Sequence, residues 1–294
     1  MKTMIQFVCL LLVSLMAWQC GGKDFDPKSL LNTYRVVAIQ ASPPSIGLTE
    51  TTQIKLWDFH PNDVLKDETR PNIKYSWSLC PFSIGALRAY RCETEELVLD
   101  DFQDQSEFVF SPLELFIKLG DEFRDEFEEA SSMLSPDMDD LKLNVVSMYL
   151  KLEIKVGNDD PVQAVKKITI HFDDMIEKNQ NPKIKGLEVE STNARFIAES
   201  ELELRAVIDE DQVETYIPID PTADSTPDEQ EEELIIAWFT SAGELEPAVT
   251  LLNSPDTVLT LAEDPGIHRI FLTVRDGRGG VDVKTVDIEV EEAK

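Results

Sequence analysis

Ile73-Lys74-Tyr75-Ser76-Trp77-Ser78-Leu79-Cys80 is the stretch that decides the fold class. Large apolar side chains fall at every second position, with Lys74, Ser76, Ser78 and Cys80 between them. That period of two belongs to a half-buried β-strand, not to a helix. Working outward, Val37, Ile39 and Ala41 keep the rhythm before Pro43-Pro44 ends it, and Thr51 to Phe59 reads as the next strand. Val146, Met148, Leu150, Leu152, Ile154 and Val156 alternate against Tyr149, Lys151, Glu153 and Lys155. Gly157-Asn158-Asp159-Asp160-Pro161 is a turn, and Ile168, Ile170 and Phe172 complete a hairpin. The expectation is an antiparallel β-sandwich over residues 33–174.

Residues 93–140 interrupt this rhythm. They hold 17 Asp and Glu against Lys118 and Arg124, a local charge of −15. Ser111-Pro112-Leu113-Glu114 has the form of a capping box, with Ser at N-cap, Pro at N1 and Glu at N3. Leu113, Phe116, Gly120, Phe123, Phe127, Ala130 and Leu134 follow at steps of three and four, which predicts an acidic helix with one apolar stripe. Two readings stand for Phe116, Phe123 and Phe127: a stripe docked on the first sandwich, or a surface for a partner. The charge argues against membrane contact here.

Residues 175–182 read as a linker, and strand rhythm resumes over 183–294. Leu187 and Val189 start it, then Leu202, Leu204, Ala206 and Ile208 alternate with Glu201, Glu203 and Arg205. Asp209 to Glu233 carries 11 carboxylates, no Lys or Arg, and three prolines, and is expected to be a long mobile loop. Ile235 to Phe239 carries Trp238. His268, Ile270, Leu272 and Val274 lead into the hairpin turn Asp276-Gly277-Arg278-Gly279-Gly280, and Val286, Ile288 and Val290 form the last strand. The fold class expected is therefore mainly β, with two antiparallel sandwiches and a helical insertion in the first.

The start of the chain speaks to location. Lys2 and the apolar run from Met4 to Trp18 are too short for a comfortable membrane span and read as an export signal over 1–19. The formal net charge is −30. Phosphate contacts need Lys and Arg, so no nucleic-acid partner is expected. Cys9 leaves with the signal, which makes Cys80 and Cys92 an expected disulfide in an oxidising compartment. By strand parity Cys80 points away from the Trp77 face, so the bridge is read as the staple of a surface loop.

Ala17-Trp18-Gln19-Cys20-Gly21-Gly22 resembles the lipobox of bacterial lipoproteins, although Gln19 stands where a small residue is usual. The resemblance implies lipidation of Cys20, a tether over 20–32 that stands the first domain off the membrane, and, with Gly21 next, an outer-membrane location. Ordinary cleavage and secretion is the alternative. Ile270-Phe-Leu-Thr-Val-Arg-Asp-Gly-Arg-Gly-Gly with Val286-Asp-Ile-Glu-Val, and Trp238-Phe239 with Gly243, resemble PKD and related Ig-like modules. Arg35-Val-Val-Ala-Ile-Gln-Ala-Ser-Pro-Pro and Tyr75-Ser-Trp-Ser-Leu-Cys-Pro are similar to tandem Ig-like lipoproteins of myxobacteria and their relatives. These resemblances imply an Ig-like architecture and say little of activity.

Catalytic signatures are sparse. His60, His171 and His268 are isolated from one another in sequence, and no HExxH, GxSxG or P-loop pattern occurs. His268 shares a strand face with Ile270 and reads as a packed histidine. Asp209-Glu210-Asp211 and Asp276 could donate oxygens to calcium but lack the spacing of known loops. No catalytic residue, resident metal or cofactor is expected. The reading is an envelope lipoprotein that binds or scaffolds an envelope protein or polysaccharide. The alternative is an accessory subunit or hydrolase in envelope polymer or carbohydrate processing.

Overall fold

The structure is a computed structural model, and it describes residues 28–65, 68–81, 83, 90–93, 95–118, 120, 145–172, 177–191, 195–218 and 228–293. The first unit contains β1 (Arg35–Ser42), β2 (Ser45–Gly47), β3 (Thr52–Phe59), β4 (Ile73–Cys80), β5 (Leu97–Val98), β6 (Glu107–Phe110), a helix α1 over residues 112–118, β7 (Val145–Val156) and β8 (Val162–His171). Its sheets run β1-β3-β6 and β2-β8-β7-β4-β5. The alternation read from Ile73 to Cys80 puts Tyr75, Trp77 and Leu79 inward, where they meet Met148, Leu150, Leu152 and Ile154 from β7. Trp77 is fully buried and its indole N–H donates to the Gln105 carbonyl at 2.8 Å, so the ring is covered with no polar atom stranded.

The second unit repeats the plan with β9 (Ile184–Ser191), β10 (Phe196–Ile197), β11 (Glu201–Ile208), β12 (Thr215–Tyr216), β13 (Gln230–Glu231), β14 (Ile235–Thr240), β15 (Gly243–Glu246), β16 (Val249–Leu251), β17 (Asp256–Leu261), β18 (Gly266–Arg275) and β19 (Val281–Glu291). Its main sheets are β15-β17-β11-β9 and β10-β19-β18-β14-β16. In both units the first strand is split between sheets. The second half, β2 or β10, pairs parallel with the last strand, β8 or β19. Each unit also buries one tryptophan on its central strand, Trp77 on β4 and Trp238 on β14. This is the two-sheet Ig-like sandwich, occurring twice.

Three local expectations are corrected. The outer surface of β1 is not solvent-facing: a bulge between Val36 and Ala38 turns Val37 away from Ile39 and Ala41, and all four of Val37, Ala38, Ile39 and Ala41 are buried. Cys80 and Cys92 do form a disulfide, with sulfurs 2.04 Å apart, but Cys80 is 0% exposed. Ser83 pairs with Cys92, and Tyr90 packs on Tyr149, the residue opposite Cys80 in the β4–β7 register. On α1 the inward face is Pro112, Leu115 and Phe116, while Leu113 and Ile117 are exposed. Of the expected stripe, Phe116 faces inward and Leu113 does not, and its part from Phe123 onward lies outside the described residues. Ser111 does cap the helix, its Oγ accepting from the Glu114 N–H at 3.3 Å.

The two sandwiches lie side by side. Leu31, Val37, Ala38 and Phe59 of the first pack with Phe271, Val281 and Val283 of the second in a third buried core, and Phe59 meets Phe271 edge-on at 6.2 Å between centroids. The chain folds back to make this contact. β8 ends at the far end of the first sandwich, residues 177–183 turn there, and β9 starts the return. The registers fix the polarity: Arg35 lies opposite Phe59, Ile73 opposite Val156, Thr240 opposite Ile270 and Gly266 opposite Val290. Arg35, Phe59, Ile73, Val156, Gly266 and Val290 mark one end, here the entry end, while Thr240 reaches only to Ile270, midway along β18.

Candidate functional site

Hydrogen bonds cross the joint as well as apolar contacts. Asn181 bridges it directly: its amide donates to the Ala41 carbonyl at 2.7 Å and accepts from the Val281 N–H at 2.9 Å. Gln40 donates to the Val281 carbonyl at 3.0 Å and accepts the Trp57 indole N–H at 3.1 Å. Arg275 donates to the Val37 carbonyl at 3.0 Å. The bulge frees that carbonyl and the second sandwich satisfies it.

Asp276 organises the hairpin turn beside them. Its Oδ1 accepts from the N–H groups of Arg278, Gly279 and Gly280, and its Oδ2 from Gly280 and from the Asn179 amide at 2.8 Å. A cation would have to displace those donors, so the carboxylate is spent on the turn. Gly280 is required there, since a β-carbon on it would lie 2.1 Å from Asp276 Oδ2 and 2.8 Å from the Gln180 carbonyl. Lys166, 6% exposed, reaches from β8 and donates to the Gly279 carbonyl. Burial pushes its pKa down to about 8, with Asp276 opposing.

Part of the acidic run from Asp209 to Glu233 is ordered, contrary to the mobile loop expected. β12 pairs with β13, and Glu214 and Glu232 converge on the Arg278 guanidinium at 3.2 and 2.8 Å. Tyr216 lies under the same guanidinium, 4.3 Å from its ring centroid. One arginine thus gathers what composition alone reads as self-repelling. Burial, with Asp276 next, pushes the Glu232 carboxyl up, and Arg278 opposes that rise. Residues 219–227 lie outside the described residues.

Two clefts flank the joint. One, of about 320 Å³, runs between the free edges of β1 and β8 and is lined by Val36, Ile39, Val162, Ala164, Arg35 and Arg275. The other, of about 520 Å³, is lined by Ser45, Thr49, Glu50, Thr51 and Lys178 among others. At its floor the Ser45 hydroxyl is hydrogen-bonded to His171 Nε2. A nucleophile–base pair also needs an orienter on the second ring nitrogen and access to substrate. His171 Nδ1 has no partner among the described residues, and Ser45 and His171 are both buried. Burial and Lys178 push the imidazole pKa down. The pair reads as a packing hydrogen bond between β2 and β8.

The residues singled out in the sequence are dispersed. Phe116 packs against the first core, whereas Phe123 and Phe127 lie outside the described residues, as does Cys20. His60 caps a turn, its Nδ1 accepting from the Asn62 N–H at 3.1 Å. His268 is held between the carbonyls of Ser241 and Asp264 at 2.9 and 3.0 Å. Asp209 pairs with Lys185. Among the described residues no group of three or more His, Cys, Asp or Glu is placed to hold a metal ion. The joint was missed by sequence reading, although Arg35-Val-Val-Ala-Ile and Ile270-Phe-Leu-Thr-Val signal it. Both are continuous apolar runs, the pattern of a strand covered on two faces.

No protein-family model matches the chain, and no curated protein matches it. Among solved structures it is similar to the FN1-FN3 domains of chicken CNTN1, at 11% identity, over 87% of this chain and 66% of that one, just under two thirds, with a TM-score of 0.23. The D00-D0 domain of Intimin matches at 10% identity over 88% of this chain and 99% of the other, with a TM-score of 0.25. Murine CEACAM1b matches at 11% identity over 88% and 100%, with a TM-score of 0.24. Scores of this size carry no argument, and the fold stands on the sheets described above.

Proposed function

We propose that this chain is a lipid-anchored, extracytoplasmic scaffold or binding module of the cell envelope, held through Cys20. The observation that carries the reading is the joint. A third apolar core and the Asn181 bridge make two sandwiches into one body, which suits a part that presents surfaces at fixed spacing. The lipobox-like stretch ending in Cys20 supplies the anchor. The net charge of −30 leaves the anchor, not a basic face, to supply membrane affinity.

The test is fractionation of cells expressing Cys20→Ser beside the unaltered chain. Acyl chains supply the membrane affinity in this reading, so the variant is expected in the soluble fraction. Retention in the membrane fraction after detergent-free washing would overturn the anchor. Crosslinking in the envelope, followed by recovery of a stoichiometric partner, tests the scaffold role.

A further inference from the structure

The split of the first strand leaves part of the last one bare. β2 pairs with β8 only from Thr169 to His171, and β1 belongs to the other sheet. Residues 162–168 of β8 therefore have β7 on one side and no strand on the other. Backbone groups along a strand point alternately to its two sides. The Thr169 N–H points toward β2 and donates to the Pro44 carbonyl at 3.4 Å, and the His171 carbonyl accepts from the Leu48 N–H at 3.2 Å. The same parity turns the N–H and C=O of Gln163 and Val165 to the bare edge, where no donor or acceptor among the described residues meets them.

That edge is one wall of the 320 Å³ cleft, and β1 is the other. Val36, Ile39, Val162 and Ala164 give the cleft an apolar floor, and Gln163 and Arg275 at its rim are exposed. In a chain of net charge −30, its charged lining is Arg35 and Arg275, with no Asp or Glu among the described residues. Arg275 donates to the Val37 carbonyl, and neither guanidinium meets a carboxylate among the described residues. The site is complementary to negative charge that the chain around it does not supply.

The residues that lead into β1 are engaged elsewhere. Leu30 forms a parallel bridge with Thr240 of the second sandwich; the Leu31 N–H donates to the Thr240 carbonyl at 2.7 Å, and the Thr240 N–H to the Ser29 carbonyl at 2.9 Å. Leu31 is buried in the shared core. Residues 29–31 are thus held on β14 and do not cover the edge of β8.

We propose that the cleft takes an extended acidic segment of a partner protein, added as a strand along residues 162–168. Its backbone completes the bare edge. Its apolar side chains alternate inward onto Val36, Ile39, Val162 and Ala164, and its carboxylates turn outward to Arg35 and Arg275. The cleft stands at the small end of binding pockets, so it holds a few residues of such a segment. The proposal rests on the binding-module part of the reading above and does not need the lipid anchor.

The probe is a fluorophore-labelled Val-Glu-Val-Glu-Val peptide, titrated by anisotropy against the chain from residue 20 onward carrying Cys20→Ser. Saturable binding is expected below about 1 mM, about tenfold or more tighter than for Val-Lys-Val-Lys-Val. The same Glu peptide with N-methylated amides cannot pair with an edge and is expected not to bind. Arg35→Gln is expected to weaken the Glu peptide about threefold or more. Gln163→Pro removes one edge N–H, a loss that an edge strand tolerates, and is expected to weaken binding about tenfold with the melting midpoint unchanged. Should that variant lose stability, the N-methylated peptide puts the same question to the unaltered fold. Equal binding of the Glu and Lys peptides, indifference to N-methylation, or no saturable binding overturns the proposal. So does tetragalacturonate, an acidic polysaccharide, if it binds through Arg35 while the peptide does not. An envelope protein that crosslinks equally to the parent and to Gln163→Pro removes this site and leaves the binding-module reading standing.

Discussion

Lys166 is the residue at which the joint shows its chemistry most directly. Its ammonium is buried between β8 and the Asp276 turn, and its pKa falls to about 8 against about 10.4 in an unfolded chain. Below pH 8 both states carry the charge, and the fold bears its full desolvation. Between about pH 8 and 10 the unfolded chain holds a proton that the folded one has released, so stability from this group rises with pH. Tyr34 and Tyr75 act in the opposite sense above that window. Burial against Asp58 pushes both hydroxyls up, Tyr75 to about 12, so they contribute stability that is lost as pH rises past 10. Lys166→Met is therefore expected to match or exceed the parent by about 1–3 kcal/mol at pH 7, with the gap closing toward pH 10. Urea midpoints at pH 7, 8.5 and 10 measure it. A parent more stable at pH 7 would show that the bond to Gly279 outweighs desolvation.

At the scale of elements, the legible parts are those with one buried face. β4 and β7 show clean alternation because one side meets the core and the other meets water. β1 and β18 do not, because each is covered by the opposite sandwich on what would have been its wet side. Phe271 and Thr273 are buried as fully as Ile270 and Leu272. A period-two reading has no place for that second contact, and a bulge at Val37 is invisible to it. The short strands β2, β5, β6, β10, β15 and β16 carry two to four residues each, too few for a periodicity to register. Of the site residues, the disulfide was legible from cysteine count, while its burial depended on a loop whose path no local pattern encodes. The 12-residue separation of Cys80 and Cys92 limits the loop-entropy gain to about 3 kcal/mol. Cys92→Ser also leaves a free Cys80 thiol buried on the outer face of β4. Its thermal midpoint is expected to fall by several degrees under oxidising conditions and to match the parent under reducing ones. A scan with and without dithiothreitol checks this.

For the whole molecule, the question is whether two sandwiches melt as one. Phe271 fills the shared core against Phe59 and contributes little to the interior of its own sandwich, since it points out of the β18 face that holds Ile270, Leu272 and Val274. Phe271→Ala is expected to cost about 3–5 kcal/mol. It should also split one calorimetric transition into two, because the coupling and not either core is removed. Loss of stability with a single transition retained would place Phe271 in the second core after all. The Asn179, Asn181 and Asp276 bonds at the far end set a second, polar clasp, so the split should widen in Asn181→Ala combined with Phe271→Ala.

The parallel bridge between Leu30 and Thr240 has a mechanical meaning. If the chain is anchored through Cys20 as proposed, a pull on that end arrives first at Ser29, Leu30 and Leu31, where two backbone hydrogen bonds and one leucine hold the chain to the second sandwich. Tension peels those contacts one after another instead of shearing a whole sheet. Release of residues 29–34 hands about 20 Å of extra length to the leash before either sandwich feels the load. In that reading the attachment would act as a mechanical fuse, giving slack under drag and reseating when the strain is gone.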